Sequence, residues 1–238
     1  MSNSLQHLAI IMDGNGRWAA ALGKDRSFGH KKGADNMKNL AIKASELDIK
    51  VLTLYAFSTE NWKRSEKEVN YLMKLPGLFF DVYLKEIMKA NIRVEFIGFI
   101  DKLPATTRKV VKNAVESTKM NTGMLLNLAV NYGSQQEIVQ AVKDYTSDVI
   151  EGKRENDLEV ADFSNYLMTK EHSHVDLLIR TSGEFRLSNF LLWQISYAEL
   201  FFTDTLFPDF TPDLLEEAVL AYSSRDRRFG GAKWKNVH

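Results

Sequence analysis

The stretch His7-Leu8-Ala9-Ile10-Ile11-Met12-Asp13-Gly14-Asn15-Gly16-Arg17-Trp18-Ala19-Ala20-Ala21-Leu22 runs from apolar residues through a glycine-rich turn into strong helix formers. Residues 8–12 are apolar at odd and even positions alike, the pattern of a strand covered on both faces. Asp-Gly and Asn-Gly are ordinary hairpin dipeptides, but the helical continuation at Ala19 to Leu22 argues against a hairpin. Two glycines let successive backbone N–H groups converge, and a helix N-terminus adds partial positive charge. Such a turn suits a cluster of phosphate oxygens, with Asp13 able to hold Mg²⁺ beside them. The spacing fits neither G-x-x-x-x-G-K-[ST] nor G-x-G-x-x-G, so this is not a Walker A loop or a dinucleotide fingerprint.

Outward from this segment, short β-rich runs at 7–12, 51–57, 93–97, 125–130 and 176–179 alternate with amphipathic runs at 32–47, 66–90, 106–119 and 135–149. The alternation predicts an α/β fold with a mainly parallel central sheet flanked by helices. Ser65 with Glu68 and Ser134 with Glu137 have capping-box spacing, and Thr211-Pro212 has the form of an N-cap followed by proline at the first helical position. In such sheets ligands sit beyond the carboxyl ends of the strands, so the loops after strands are where the chemistry is sought.

The chain has 238 residues, no cysteine, and 31 basic against 31 acidic residues. One globular domain spanning 1–238 is expected, with a polar insertion at 151–157 and no internal repeat. The absence of cysteine excludes disulfides and thiolate chemistry and favours a reducing compartment, so a cytoplasmic protein is expected. A net charge of zero favours no nucleic-acid partner, and any basic site must be a local cluster. Neither a signal peptide nor an apolar run of membrane-spanning length is present.

Three further segments concentrate polar chemistry. Arg26 and Gly29-His30 fall in an expected loop before a helix beginning near Lys31. The second strand leads into Tyr55-Ala56-Phe57-Ser58-Thr59-Glu60-Asn61-Trp62-Lys63-Arg64. There Ser58 and Asn61 can orient a substrate, Arg64 can fork onto phosphate oxygens, and Trp62 can offer a π-face to a cation. The last strand runs into Arg180-Thr181-Ser182-Gly183-Glu184-Phe185-Arg186-Leu187-Ser188-Asn189, where two arginines and a serine flank a glycine turn and suit a second diphosphate. A bland reading stands beside each: Trp62 as core, Ser58-Thr59 as a helix cap, Arg26 and His30 as solvated side chains.

Residues 7–19 closely resemble the first signature of the cis-prenyltransferases of the undecaprenyl diphosphate synthase type, and the other segments resemble the family's remaining signatures. The resemblance implies that Asp13 binds Mg²⁺ and is catalytic, with Glu199 as a second acidic ligand. It also implies that Gly14, Asn15, Gly16, Arg17, Trp18, Arg26, His30, Ser58, Thr59, Glu60, Trp62 and Arg64 bind substrate, with Arg17, Arg26 and Arg64 on the allylic diphosphate. Arg180, Arg186 and Ser188 match the site for isopentenyl diphosphate, with Leu187 also implied in substrate binding. Asn61 matches the residue often named as proton acceptor, although an amide is a poor base and a diphosphate oxygen could take the proton instead.

The implied activity is Mg²⁺-dependent cis-condensation of isopentenyl diphosphate onto farnesyl diphosphate, giving undecaprenyl diphosphate for the lipid carrier of cell-wall glycans. A homodimer and transient contact with the inner membrane face are implied with it. An apolar tunnel is expected behind the helix 66–90, kinked at Pro76-Gly77. The segment Ser224-Arg225-Asp226-Arg227-Arg228-Phe229-Gly230-Gly231 resembles the family's ending. The family's Arg-Pro and Tyr-Gly-Gly-Arg stand here as Arg64-Ser65 and Tyr132-Gly133-Ser134-Gln135. A non-catalytic scaffold subunit of a heteromeric prenyltransferase is the alternative, though such subunits lose the metal and diphosphate residues. A trans-prenyl synthase would show aspartate-rich motifs, which are absent.

Overall fold

The computed structural model describes residues 5–172 and 174–224. In chain order the elements are β1 (His7–Ile11), α1 (Asn15–Ala21), α2 (Arg26–Glu46), β2 (Val51–Ser58), α3 (Glu66–Lys89), β3 (Arg93–Ile97), α4 (Ala105–Thr118) and β4 (Leu125–Tyr132). There follow α5 (Ser134–Ile150), the short α6 (Val160–Phe163), β5 (Leu177–Arg180), β6 (Glu199–Phe202) and α7 (Pro212–Ser223). A 3₁₀ turn, Thr59–Lys63, joins β2 to α3.

The sheet has the order β3-β4-β2-β1-β5-β6, and every neighbouring pair is parallel. Alternation along β1 explains why both faces must be covered: Leu8 and Ile10 join one core cluster, Ala9 and Ile11 the other. The first cluster takes Met37, Leu40 and Ala44 from α2, Leu72, Phe79 and Ile87 from α3, and Leu215 and Tyr222 from α7. Each fully buried aliphatic side chain contributes about 1.5–3 kcal/mol, so these faces fix the layers. Strand order turns around at β1, with β2 on one side and β5 on the other. That switch point is where a crevice opens beyond the strand ends.

Five of the six strands were expected; β6 was not, because Glu199-Leu200-Phe201-Phe202 is a four-residue edge strand without full burial. Helix α2 begins at Arg26, several residues before the predicted start, so Arg26 and His30 lie in its first turns and not in a loop. Ser134 is not a cap: Gly133 holds that position and the Ser134 hydroxyl accepts from Leu192 N at 2.9 Å. Thr211 caps α7 as expected. Ser65 caps α3 through Glu68 N, while the Glu68 side chain turns elsewhere. Pro76 does not interrupt α3. Behind α3, Met37, Leu72, Met73, Pro76, Phe79, Phe80 and neighbouring residues enclose an apolar pocket of about 90 Å³, a pocket where a tunnel was expected.

Candidate active site

A cavity of about 340 Å³ lies over the carboxyl ends of β1, β2 and β5. Its wall includes Asp13, Gly14, Asn15, Gly16, Arg17, Arg26, His30, Ser58, Asn61, Arg64, Arg180, Arg186 and Ser188. Five arginines thus converge on one cavity in a chain of zero net charge.

The first wall is the turn after β1. Gly14 is the N-cap of α1 with φ +108°, a conformation that favours glycine. A Cβ at Gly29 would lie 1.9 Å from the Asn15 carbonyl oxygen, and one at Gly33 would lie 2.2 Å from Asn15 Oδ1. These two glycines therefore let α2 close directly onto the turn. Arg26 packs over Gly16, whose added Cβ would meet its guanidinium at 2.6 Å.

One carboxylate organises the cations contributed by α2 and the 3₁₀ turn. Glu68 Oε2 accepts from Arg26 Nε at 3.1 Å, and Oε1 lies 3.2 Å from His30 Nε2 and 2.8 Å from Arg64 Nη1. Burial works against the charged form of Glu68, yet bonds from Arg26 and His30 hold its carboxyl below the usual range. Burial also pushes the His30 imidazole down, against the opposing pull of Glu68. Glu68 was legible in the sequence only as a capping residue.

Asp13 and Arg180 close the floor. Asp13 Oδ2 accepts from Arg180 Nη2 at 2.8 Å, Oδ1 from Gly14 N at 2.8 Å. Arg180 Nη1 donates to Ser188 Oγ at 2.8 Å and to the Arg186 carbonyl. Arg17 bonds Ser182 and pairs with Glu184 at 3.1 Å. Asn61 Oδ1 accepts from Ser58 N at 3.1 Å, closing the 3₁₀ turn, so that oxygen is engaged by backbone. Tyr55, which residue chemistry alone did not single out, also lines the cavity, stacked on Phe190 at 4.4 Å and donating to the carbonyls of Tyr132 and Ser188.

Several expected site residues sit off the cavity wall. Trp18 stacks on Phe28 and donates to Asp209 Oδ1 at 2.8 Å. Trp62 packs edge-on against Phe57 and donates to Asn131 Oδ1 at 2.7 Å. Thr59 Oγ1 is buried against Gly133, Glu60 accepts from Asn189, and Leu187 packs on the second core cluster. Glu199 pairs with Leu177 at the amino end of β5, whereas Asp13 lies beyond Ile11, which pairs with Arg180 at the carboxyl end. The three residues of rise from Leu177 to Arg180 put at least about 10 Å of strand between these positions. One chain therefore does not bring Asp13 and Glu199 onto a shared ion. Among the described residues no group of three or more His, Asp or Glu is placed to hold a metal. Residues 225–231 of the family-like ending lie outside the described residues.

The undecaprenyl diphosphate synthase family model matches residues 11–230. The chain belongs to this family of prenyltransferases. Among relatives of the undecaprenyl diphosphate synthase family, a (2E,6E)-farnesyl-diphosphate-specific ditrans,polycis-undecaprenyl-diphosphate synthase of Lactiplantibacillus plantarum is 52% identical, covering 94% of this chain and 88% of its own. An isoprenyl transferase of Lactobacillus johnsonii is 52% identical over 95% of this chain and 96% of its own. The lavandulyl diphosphate synthase from Lavandula x intermedia, solved with dimethylallyl diphosphate, superposes with a TM-score of 0.92 at 38% identity, covering 95% of this chain and 98% of its own. A probable undecaprenyl diphosphate synthase from Campylobacter jejuni gives 0.80 at 36% identity, covering 96% and 99%. The sheet and the cavity over β1, β2 and β5 are thus those of an undecaprenyl diphosphate synthase family member, and the chain is a transferase of prenyl groups.

Proposed function

We propose that this chain condenses isopentenyl diphosphate onto farnesyl diphosphate in repeated cis additions, giving undecaprenyl diphosphate as a carrier lipid for cell-wall glycans. The observation that carries the reading is the convergence of Arg17, Arg26, Arg64, Arg180 and Arg186 on one cavity, beside an apolar pocket that Asn15, His30 and Leu72 also line. A diphosphate and an isoprenoid tail need that adjacency.

In each addition the allylic C–O bond breaks, releasing diphosphate. A C–C bond forms to the terminal alkene carbon of isopentenyl diphosphate, and one proton is lost. Arg26, His30 and Arg64, with the Gly14 to Arg17 turn, bind the departing diphosphate; Arg180, Arg186 and Ser188 orient the other substrate. Asn61 holds the turn that carries Ser58 and Arg64, and a diphosphate oxygen is the stronger base for the proton.

The donor set at Asp13 fits Mg²⁺, which takes one or two carboxylates and completes its octahedron with phosphate oxygens and water. The Asp13 carboxylate is a hard donor about one-third exposed on the cavity wall. What a bound Mg²⁺ supplies is neutralisation of charge on the leaving oxygens.

The apolar pocket, at about 90 Å³, is far below the roughly 300–1,000 Å³ of ordinary ligand cavities, so α2 and α3 must part as the tail grows. No described helix is long and apolar enough to cross a membrane. We place the protein in the cytoplasm as a homodimer that touches the inner membrane face when it releases product.

The test is incubation of the purified chain with farnesyl diphosphate, labelled isopentenyl diphosphate and Mg²⁺, with and without EDTA. A long polyprenyl product that EDTA abolishes is expected. A chain inactive with every allylic starter and metal would instead be a scaffold subunit.

A further inference from the structure

The segment after Arg186 has an unusual backbone: Ser188, Asn189 and Leu191 have φ of +49°, +60° and +46°. Such left-handed conformations are uncommon outside glycine, and asparagine tolerates them better than most residues. They persist only where the surroundings over-determine them. Asn189 supplies much of that determination. Its Oδ1 accepts from Gln135 N at 2.8 Å, and its carbonyl oxygen accepts from Ser134 N at 2.8 Å. Its Nδ2 donates to Gln136 Oε1 at 3.0 Å and to Glu60 Oε1 at 3.1 Å.

The contacts reach two elements, the first turn of α5 and the 3₁₀ turn after β2. Ser134 and Gln135 open α5, so Asn189 satisfies helix N–H groups that an internal cap would otherwise take. Glu60 belongs to the 3₁₀ turn that carries Asn61 and leads from Ser58 to Arg64. The adjacent Ser188 accepts from Arg180, whose other terminal nitrogen reaches Asp13. An unbroken chain of bonds thus runs from Asp13 through Arg180, Ser188 and Asn189 to Glu60, linking the two sides of the cavity. The Glu60 carboxyl is held below its usual range, burial opposing and the Asn189 bond favouring the charged acceptor.

We propose that Asn189 is a positioning residue that couples the two diphosphate half-sites, its one carboxamide fixing both the Ser188 hydroxyl against Arg180 and the turn that presents Ser58 and Arg64. This rests on the two-substrate reading above. Occupation of one half-site then pre-orders the other, and the two affinities are linked reciprocally.

The full chain is compared with Asn189→Gly, which keeps access to positive φ and removes the side chain. Asn189→Asp keeps the acceptor for Gln135 N and sets a carboxylate against Glu60. Calorimetry measures isopentenyl diphosphate affinity with and without farnesyl thiodiphosphate, an unreactive allylic analogue, and steady-state kinetics give KM and kcat.

In the unsubstituted chain the analogue should tighten isopentenyl diphosphate binding by at least about fivefold. In Asn189→Gly that enhancement should vanish and KM for isopentenyl diphosphate should rise about tenfold, while analogue affinity alone stays within about threefold. Asn189→Asp should show the same loss, and it carries the comparison where the glycine variant does not fold. A lowered melting temperature with the enhancement intact would mean that Asn189 only caps α5, overturning the proposal. An unsubstituted chain that binds both ligands without mutual effect overturns it too. A chain that binds neither overturns the two-substrate reading, and the assignment of Asn189 with it.

Discussion

Replacing Asp13 by alanine separates the structural from the catalytic part of the Asp13–Arg180 pair. Arg180 is 3% exposed, its Nη2 lies 2.8 Å from Asp13 Oδ2, and its buried Nε has no hydrogen-bond partner. Losing one partner of a fully buried pair costs about 3–5 kcal/mol, and a hydrogen bond to a charged group is worth about 1.5–3 kcal/mol. Asp13 is about one-third exposed, so water can enter its place, and the lower range applies: a loss of about 2 kcal/mol. For a chain of this size that is a fall in Tm of roughly 4–8 °C. Inorganic pyrophosphate without metal should then stabilise Asp13→Ala more than the unsubstituted chain, because the anion replaces the missing carboxylate beside Arg180 and no longer meets its repulsion. Differential scanning calorimetry of both proteins, with and without pyrophosphate, reads both effects. A variant with unchanged Tm, or one that pyrophosphate stabilises less than the parent, would refute this account of the pair.

Gly29→Ala forces a Cβ to 1.9 Å from the Asn15 carbonyl, so α2 must retreat from the diphosphate turn; a loss of about 3 kcal/mol and weaker allylic binding are expected by denaturant titration and calorimetry. Gly23→Ala has open space and only its φ of +63° to contend with, so it should cost about 1 kcal/mol in the same titration. His7 is buried between Thr53 Oγ1 and the His174 carbonyl, and burial lowers its pKa to about 4. The unfolded chain therefore takes up this proton first: the stability is fully present above pH ~6.5 and drains away as pH falls towards 4, by up to roughly 3 kcal/mol. His7→Gln should flatten that part of the stability profile measured by urea titration between pH 4 and 7. Glu68→Gln removes the negative charge that helps raise the His30 pKa, so an NMR titration of the His30 ring should move to lower pH.

The layers and the loops that bear the chemistry were legible in the sequence because doubly buried strands leave a continuous apolar signature, as in residues 8–12. Asp13, Gly14 and Arg64 were singled out from residue chemistry at strand ends and Arg17 through the family resemblance, and all four line the cavity. What escaped was set by tertiary contact. Arg26 and His30 looked like loop residues because the helix that starts with them carries glycines at 29 and 33, which are poor formers that the close approach of Asn15 requires. Glu68 and Ser134 have local capping grammar but answer to distant partners, Arg26 and Leu192. Glu199 carries a motif resemblance without positional information, and only strand register locates it at the far end of the sheet.

The arginine-lined cavity in an electrically balanced chain has a consequence for how substrates arrive. At physiological ionic strength the field of an exposed charge decays over about 8 Å, so with no net charge behind it the cavity exerts little pull on an anion in bulk solution. Encounter rates should then vary weakly with salt, while residence times shorten steeply as salt competes for the guanidinium groups. Selection among anions happens inside the mouth, by the fit of a compact headgroup followed by a tail, and a long stiff polyanion gains nothing from a basic surface confined to a recess.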